Sequence, residues 1–210
     1  MNKDGYRKYV FDEENRKFIG EFDKMYIAEK DGNYDSWKQD DVHFLDKQIC
    51  LQILKQYDFN SILDVGCGKG ALTHLMKTEN NSVIGCDISK EAISIAGNRY
   101  PDIPFFSMDI QDADWKNYFL NIWEKMKSEG KVDCVTCLET LSYIEKWQGV
   151  IKDFSLIGRY VLLKLFIPDN PIGYVKNEDE FVSECNKYFD IVEYIEYISN
   201  QMIIIFGKRK

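Results

Sequence analysis

The stretch SILDVGCGKGALTHL, residues 61–75, sets three glycines, Gly66, Gly68 and Gly70, between an apolar run and a helical pattern. Glycine reaches left-handed backbone angles freely and carries no Cβ to hold another group away. A bare loop that leaves a strand and opens a helix suits a ligand whose polar groups must come close to the backbone. A loop rich in glycine for no functional reason is the competing account, and the flanking sequence has to decide.

Outward from Ser61, short apolar runs alternate with helical patterns. SILDV, SVIGCD, IPFFSM, VDCVTCL and RYVLLKLFI read as strands. Lys69–Lys77, Lys90–Arg99, Ala113–Lys127 and Trp147–Leu156 read as the helices between them, and Glu178–Tyr188 as the last helix. DIVEYIEYI and QMIIIFG close the chain around Ser199, Asn200 and Gln201, too close together for a helix, so they pair as an antiparallel hairpin. Alternating strands and helices build a parallel sheet with right-handed crossovers. The expected fold class is a three-layer α/β sandwich around a seven-stranded, mostly parallel sheet.

Residues 1–60 precede that pattern and read as a helical cover. Phe18, Phe22, Met25 and Tyr26 share one face, and Val42, Leu45, Ile49 and Ile53 another. DGNYDSW, Asp31–Trp37, marks a loop between them. Residues 61–210 form the core, and the 210 residues together suit one compact domain.

Composition excludes several classes. Hydrophobic residues make up 45% and charged ones 30%, an ordinary globular balance. The net charge of -8 supplies no basic footprint for a phosphate backbone, so nucleic acid is not an expected partner. No apolar run approaches the roughly 20 residues of a bilayer span, and the first residues lack a signal-like apolar core. A cytoplasmic protein without a membrane partner is expected. Cys134 and Cys137 form a C-x-x-C, but on a strand positions i and i+3 face opposite sides. With no second pair to complete a tetrahedral site, the six cysteines are expected as reduced thiols and no metal site is expected.

Two acids sharpen the glycine loop. Asp87 ends the second strand, where a carboxylate can accept both hydroxyls of a ribose. That fits NAD and other adenosine-bearing ligands alike, and Gly66-x-Gly68-x-x-Ala71 satisfies the dinucleotide pattern too. Asp64 discriminates. It stands two residues before the first glycine, where its charge repels a pyrophosphate and attracts a ligand carrying an ammonium and a sulfonium.

DVGCGKG, then CDIS, then MDIQD resemble, in order, the first three motifs of class I S-adenosylmethionine-dependent methyltransferases. The resemblance runs from about Ser61 to Lys208, closing hairpin included. It implies a Rossmann-like sheet of strand order 3-2-1-4-5-7-6 and S-adenosylmethionine as cofactor. It implies that Asp64 and the Gly66–Gly68 backbone, Cys67 through its main chain, hold the methionine part. Asp87 would take the ribose, Ile88 and Ile110 would flank the adenine, and Asp109 would meet its amino group. Leu138 and Trp37 complete the cofactor set. Competing accounts make Asp87 a helix N-cap, a role Ser89 fits better, and Asp109 a solvated loop acid.

On the acceptor side, CLETLSYIEKW lacks the Asn/Asp-Pro-Pro-Tyr-like tetrad of enzymes that methylate base amino groups. ETLSYI is similar to small-molecule methyltransferases, including sugar and nodulation-type enzymes. The expected function is methyl transfer to a small polar acceptor, with O-methylation of a sugar or glycan precursor as its specific form. Glu139 is the carboxylate nearest the expected methyl group and His43, in the cover, the other candidate base. Tyr34, Tyr143 and Lys164 are the expected substrate contacts. A lysine inside VLLKLF needs an anion or a path to water. An NAD(P)-dependent oxidoreductase and a non-catalytic cofactor-binding protein are the alternatives. Asp64, the long leading segment and the terminal hairpin oppose the first.

Overall fold

In the computed structural model, which describes residues 5–32, 34–126, 131–197 and 201–210, the chain opens with a cover that is only partly helical. One helical turn (α1, Arg7–Val10) leads into an antiparallel pair (β1, Phe11–Asp12; β2, Lys17–Phe18), followed by helices α2 (Phe22–Gly32) and α3 (Leu45–Lys55). Phe18 therefore belongs to a strand, not to the face of α2, and Val42 precedes α3. The cause is local. The Asp12 carboxylate accepts from the backbone N–H of Asn15 at 3.0 Å and from its side chain at 2.7 Å, and Arg16 adopts a left-handed φ of 51°. A side-chain-to-backbone turn of this kind reverses the chain before a helix can start.

The core then alternates as expected. Its strands and helices are β3 (Ser61–Val65), α4 (Ala71–Met76), β4 (Ser82–Asp87), α5 (Lys90–Arg99), β5 (Phe105–Ser107), α6 (Trp115–Met126), β6 (Val132–Leu138), α7 (Trp147–Ile157), β7 (Gly158–Phe166), α8 (Glu178–Tyr188), β8 (Phe189–Tyr197) and β9 (Met202–Arg209). The sheet runs β5-β4-β3-β6-β7-β9-β8, which in core-strand numbering is 3-2-1-4-5-7-6. β7 pairs with β9, and β9 with β8, antiparallel; the remaining neighbours are parallel. Helix α4 begins at Ala71 instead of Lys69 because the glycine loop occupies the first turn. Asn33, Lys127 and the turn at Ser199 and Asn200 lie outside the described residues.

Every residue of β3 is buried, as a central parallel strand covered on both faces requires. Alternate residues feed two cores. Leu63, Val135, Leu163 and Ile205 face Trp115, Phe154 and Phe181 of α6, α7 and α8, whereas Ile62, Cys134, Leu162 and Ile204 face Cys50, Leu51 and Leu54 of α3. Cys134 and Cys137 fall in opposite cores, and all six cysteines are free. Among the described residues, no helix is long and apolar enough to cross a membrane.

Candidate active site

Beyond the carboxyl ends of β3, β4, β6 and β7 opens a cleft of 1480 Å³, roofed by the N-terminal cover. A single ligand pocket is commonly about 300–1,000 Å³, so this one has room for a cofactor and an acceptor together. In open α/β sheets ligands bind at this end, where the first strand turns into its helix.

The glycine loop forms the floor. Gly66 and Gly68 have φ of 75° and 52°, the left-handed region that other residues avoid. A Cβ on Gly66 would sit 1.9 Å from Thr140 Oγ1, and one on Gly68 2.1 Å from Gln39 Oε1. The loop is thus bare for two reasons, its own turn and the close approach of Thr140 and Gln39. Cys67 turns its main chain into β4, its N–H donating to the Cys86 carbonyl at 3.0 Å.

Asp64 lines the cleft yet is only 4% exposed, and it accepts hydrogen bonds from Thr73 at 2.6 Å and Thr136 at 2.7 Å. Burial lifts its pKa to about 6 against the two hydroxyls, which favour the charge. Asp87 accepts from the N–H of Gly68 at 3.0 Å and of Ser89 at 2.9 Å, one bond per oxygen. Each oxygen keeps a lone pair for a ligand hydroxyl. Ser89, not Asp87, caps α5, accepting from the Ala92 N–H at 3.1 Å. Ile88 is 46% exposed on the cleft wall, an apolar side chain waiting for a flat partner. Ile110, buried, and Asp109, exposed, lie further along the same wall, and Leu138 lines the β6 end.

The cover is fastened to this floor by Lys69. Its side chain is 2% exposed, and its ammonium is bound by Glu29, by Asp35 at 2.7 Å and by Asp40 at 2.8 Å, all from the cover. Burial opposes the charge, but the three carboxylates outweigh it and hold the lysine pKa above its ordinary value. These carboxylates are spaced closely enough to hold a metal ion, and the lysine ammonium occupies that position. Gln39 reinforces the seam, accepting from the Lys69 N–H at 2.9 Å and donating to the Tyr26 hydroxyl at 2.8 Å.

At the acceptor end, Glu139 leaves β6 with a φ of 65°, a strained angle for a residue with a side chain. Its Oε2 accepts from the Phe166 N–H at 3.1 Å. Its Oε1 is shut from solvent, has no hydrogen-bond partner and lies 3.4 Å from the Lys164 ammonium. Burial raises the Glu139 pKa, with Lys164 partly offsetting it. Lys164 is bound on its other side by Asp46 of α3, so its charge is matched inside the protein.

Residues 63–157 match the methyltransferase-domain family. Over that stretch the chain is similar to a methyltransferase domain, and its sheet order is that of the class I S-adenosylmethionine-dependent fold. Among curated relatives, 235L of Invertebrate iridescent virus 6, which bears a provisional methyltransferase name, is 32% identical over 79 residues, 37% of this chain and 30% of that one. The ubiquinone biosynthesis O-methyltransferase of Escherichia fergusonii is 32% identical over 93 residues, 43% of this chain and 35% of its own. The chain thus spans about a third of the length of these relatives. The magnesium protoporphyrin IX methyltransferase of Synechocystis PCC 6803 shares the fold at a TM-score of 0.64 and 17% identity, with 97% of this chain and 98% of that one aligned. The N-methyltransferase NodS of Bradyrhizobium japonicum WM9 does so at 0.62 and 15%, over 82% and 91%.

The methyltransferase cleft gathers most of the residues singled out in the sequence. Asp64, Gly66, Cys67, Asp87, Ile88, Asp109, Ile110, Leu138, Trp37, Glu139, Tyr143 and Lys164 all border it. Gly68 sits just beneath, covered by Gln39. Tyr34 and His43 are not on its wall. His43 lies exposed in the turn before α3, its N–H donating to Asp41, and its side chain is not on the cleft wall. Gln39, Asp46 and Thr140 went unnoticed in the sequence. Lys69 was the one with a signal, a cation set between two glycines of the motif.

The site fits S-adenosylmethionine. A buried carboxylate suits its two cationic groups, the oxygens of Asp87 keep capacity for its ribose, and exposed Ile88 offers a flat apolar wall.

Proposed function

We propose that the protein transfers a methyl group from S-adenosylmethionine to an oxygen of a small-molecule acceptor. The observation that carries this is Glu139, a strained, half-buried carboxylate ion-paired with Lys164, in the same cleft as the Asp64, Gly66 and Asp87 constellation. Bound S-adenosylmethionine supplies an electrophilic methyl, which bonds to the acceptor oxygen as the carbon–sulfur bond breaks with its electron pair left on sulfur. The protein's own residues do the rest. Asp64 holds positive charge at the floor, Asp87 fixes the ribose, and Ile88 and Ile110 sandwich the adenine, with Asp109 at its amino group; Leu138 stands at the β6 end and Trp37 closes over cofactor and acceptor from the cover. Glu139 takes the acceptor proton, and Lys164, fixed by Asp46, holds Glu139 in place. Orientation of this kind, with water kept out, is most of what methyl transfer asks of an enzyme.

A sugar or glycan precursor is the acceptor suggested by the ETLSYI stretch. An anionic acceptor held by Lys164 has less support, because Asp46 and Glu139 already match that charge. Incubation with methyl-labelled cofactor and fractionated cell extract tests the class. Label is expected in the small-molecule fraction; label confined to RNA, DNA or protein would refute it.

A further inference from the structure

The acceptor half of the cleft is walled by rings. Tyr6, Phe11, Phe18, Phe22, Trp37 and Tyr143 all border it and all are half-buried, so each still turns surface outward. Tyr143 is the hub. Its ring centroid lies 5.8 Å from Phe18, 5.7 Å from Phe22, and 5.9 Å from both Phe11 and Trp37, while Tyr6 lies 5.1 Å from Trp37. The rings come from the start of α1, from β1, β2, α2, the turn at Trp37 and the loop after β6, so the fold brings six segments together to make one aromatic wall.

Polar groups around that wall are engaged with one another. Arg7 pairs with Glu13 at 2.5 Å. Arg16 donates to Asn170 Oδ1 at 2.7 Å, Lys47 to the carbonyls of Lys38 and Asp41, and Gln201 to Asp169. Glu139 also borders the cleft: its Oε1 is closed to solvent and ion-paired with Lys164 at 3.4 Å, and its Oε2, which accepts from the Phe166 N–H, keeps a lone pair. A sugar brings several hydroxyls, and each would need a partner on leaving water. A flat ring system with a single hydroxyl needs one.

We infer that the acceptor is a planar aromatic ring system bearing a phenolic hydroxyl, its face against the Phe18, Phe22 and Tyr143 rings and its O–H directed at the Glu139 carboxylate. This acceptor class rests on the methyl-transfer function proposed above. The chemistry agrees with it. A phenol ionises near pH 10, about six units below water at about 15.7, so a carboxylate base can withdraw its proton far more readily than that of an alcohol. The proton passes to Glu139, the phenolic oxygen donates its pair to the methyl carbon, and the carbon–sulfur pair remains on sulfur as S-adenosylhomocysteine leaves.

The test uses 2-naphthol, its saturated counterpart decahydro-2-naphthol, and glucose, titrated by calorimetry into protein saturated with S-adenosylhomocysteine. 2-Naphthol is expected to bind at least about tenfold more tightly than either control and to accept labelled methyl from S-adenosylmethionine. Phe22→Leu, which keeps the bulk but not the ring, should weaken 2-naphthol binding about three- to tenfold and leave S-adenosylhomocysteine affinity unchanged. Equal or weaker binding of 2-naphthol than of the saturated alcohol, or tighter binding of glucose, overturns the aromatic acceptor. Failure of S-adenosylhomocysteine itself to bind would instead overturn the methyltransferase function beneath it.

Discussion

At the scale of single residues, the proposed chemistry rests on Asp64 and Glu139, and burial shifts both. Asp64 titrates at about 6 in the free protein, so it is ionised above that pH and neutral below it. A cationic ligand binds the ionised form better. S-Adenosylmethionine affinity should therefore hold steady above about pH 7 and fall about fivefold or more by about pH 5, a unit of pKa being worth about tenfold. Calorimetry across that range checks it, and a flat profile would remove Asp64 from the cofactor site. Glu139→Gln keeps the shape but cannot take a proton. It should lower kcat about 10²–10⁴-fold with cofactor affinity unchanged, and abolish the rise in rate with pH that ionisation of Glu139 gives the native enzyme. Variant and parent rates measured from pH 5 to pH 9 decide it, and an undiminished rate would deny Glu139 its role. Asp64 and Gly66 were legible because one strand–turn–helix motif fixes them locally, and Asp87 because it ends the next strand. Gln39 and Asp46 were not, since each gains its meaning from a contact about 30 and 118 positions away in the chain.

At the scale of elements, the cover and the core meet across charged seams. Lys69 is ringed by Glu29, Asp35 and Asp40; Asp40 also takes Arg99 at 2.6 Å, and Asp23 takes Ser89 at 2.6 Å. Lys69→Met would strand Glu29 as a buried carboxylate, a loss of about 3–5 kcal/mol for pairs of this kind. Hydrogen exchange should then quicken across residues 22–47 while β3, β4 and β6 stay protected, and cofactor affinity should drop. Unchanged protection in the cover would show that Lys69 is not its fastening. Acid should loosen the same seam. Burial pushes the Asp40 pKa up, but its bonds to Lys69 and Arg99 win and hold it below its ordinary value. Its stabilising share is therefore complete above about pH 4 and lost as pH falls through the depressed value. The hairpin Phe11–Phe18 escaped the sequence pattern because its strands are two residues long, too short for alternation to register. The strands of the sheet were legible because each carries apolar residues bounded by turn residues, as a buried run in β3, β4, β6, β7 and β9.

At the scale of the molecule, the sheet order places Asp64, Asp87, Asp109 and Glu139 at one edge, the carboxyl ends of four adjacent parallel strands. No local feature of the sequence states that convergence; it follows from right-handed crossovers applied to strand order. The aromatic wall was invisible for the opposite reason, since its rings lie in segments whose packing no periodicity predicts. The central claim is that this edge binds S-adenosylmethionine, and calorimetry on the purified chain and on Asp87→Ala tests it most directly. The parent should bind S-adenosylmethionine and S-adenosylhomocysteine with NAD and NADP silent. Asp87→Ala should bind both at least about tenfold more weakly while melting as a folded protein, because two charge-assisted hydrogen bonds to the ribose are worth about 1.5–3 kcal/mol each. Dinucleotide binding of comparable strength, or full affinity in a folded Asp87→Ala protein, would contradict it.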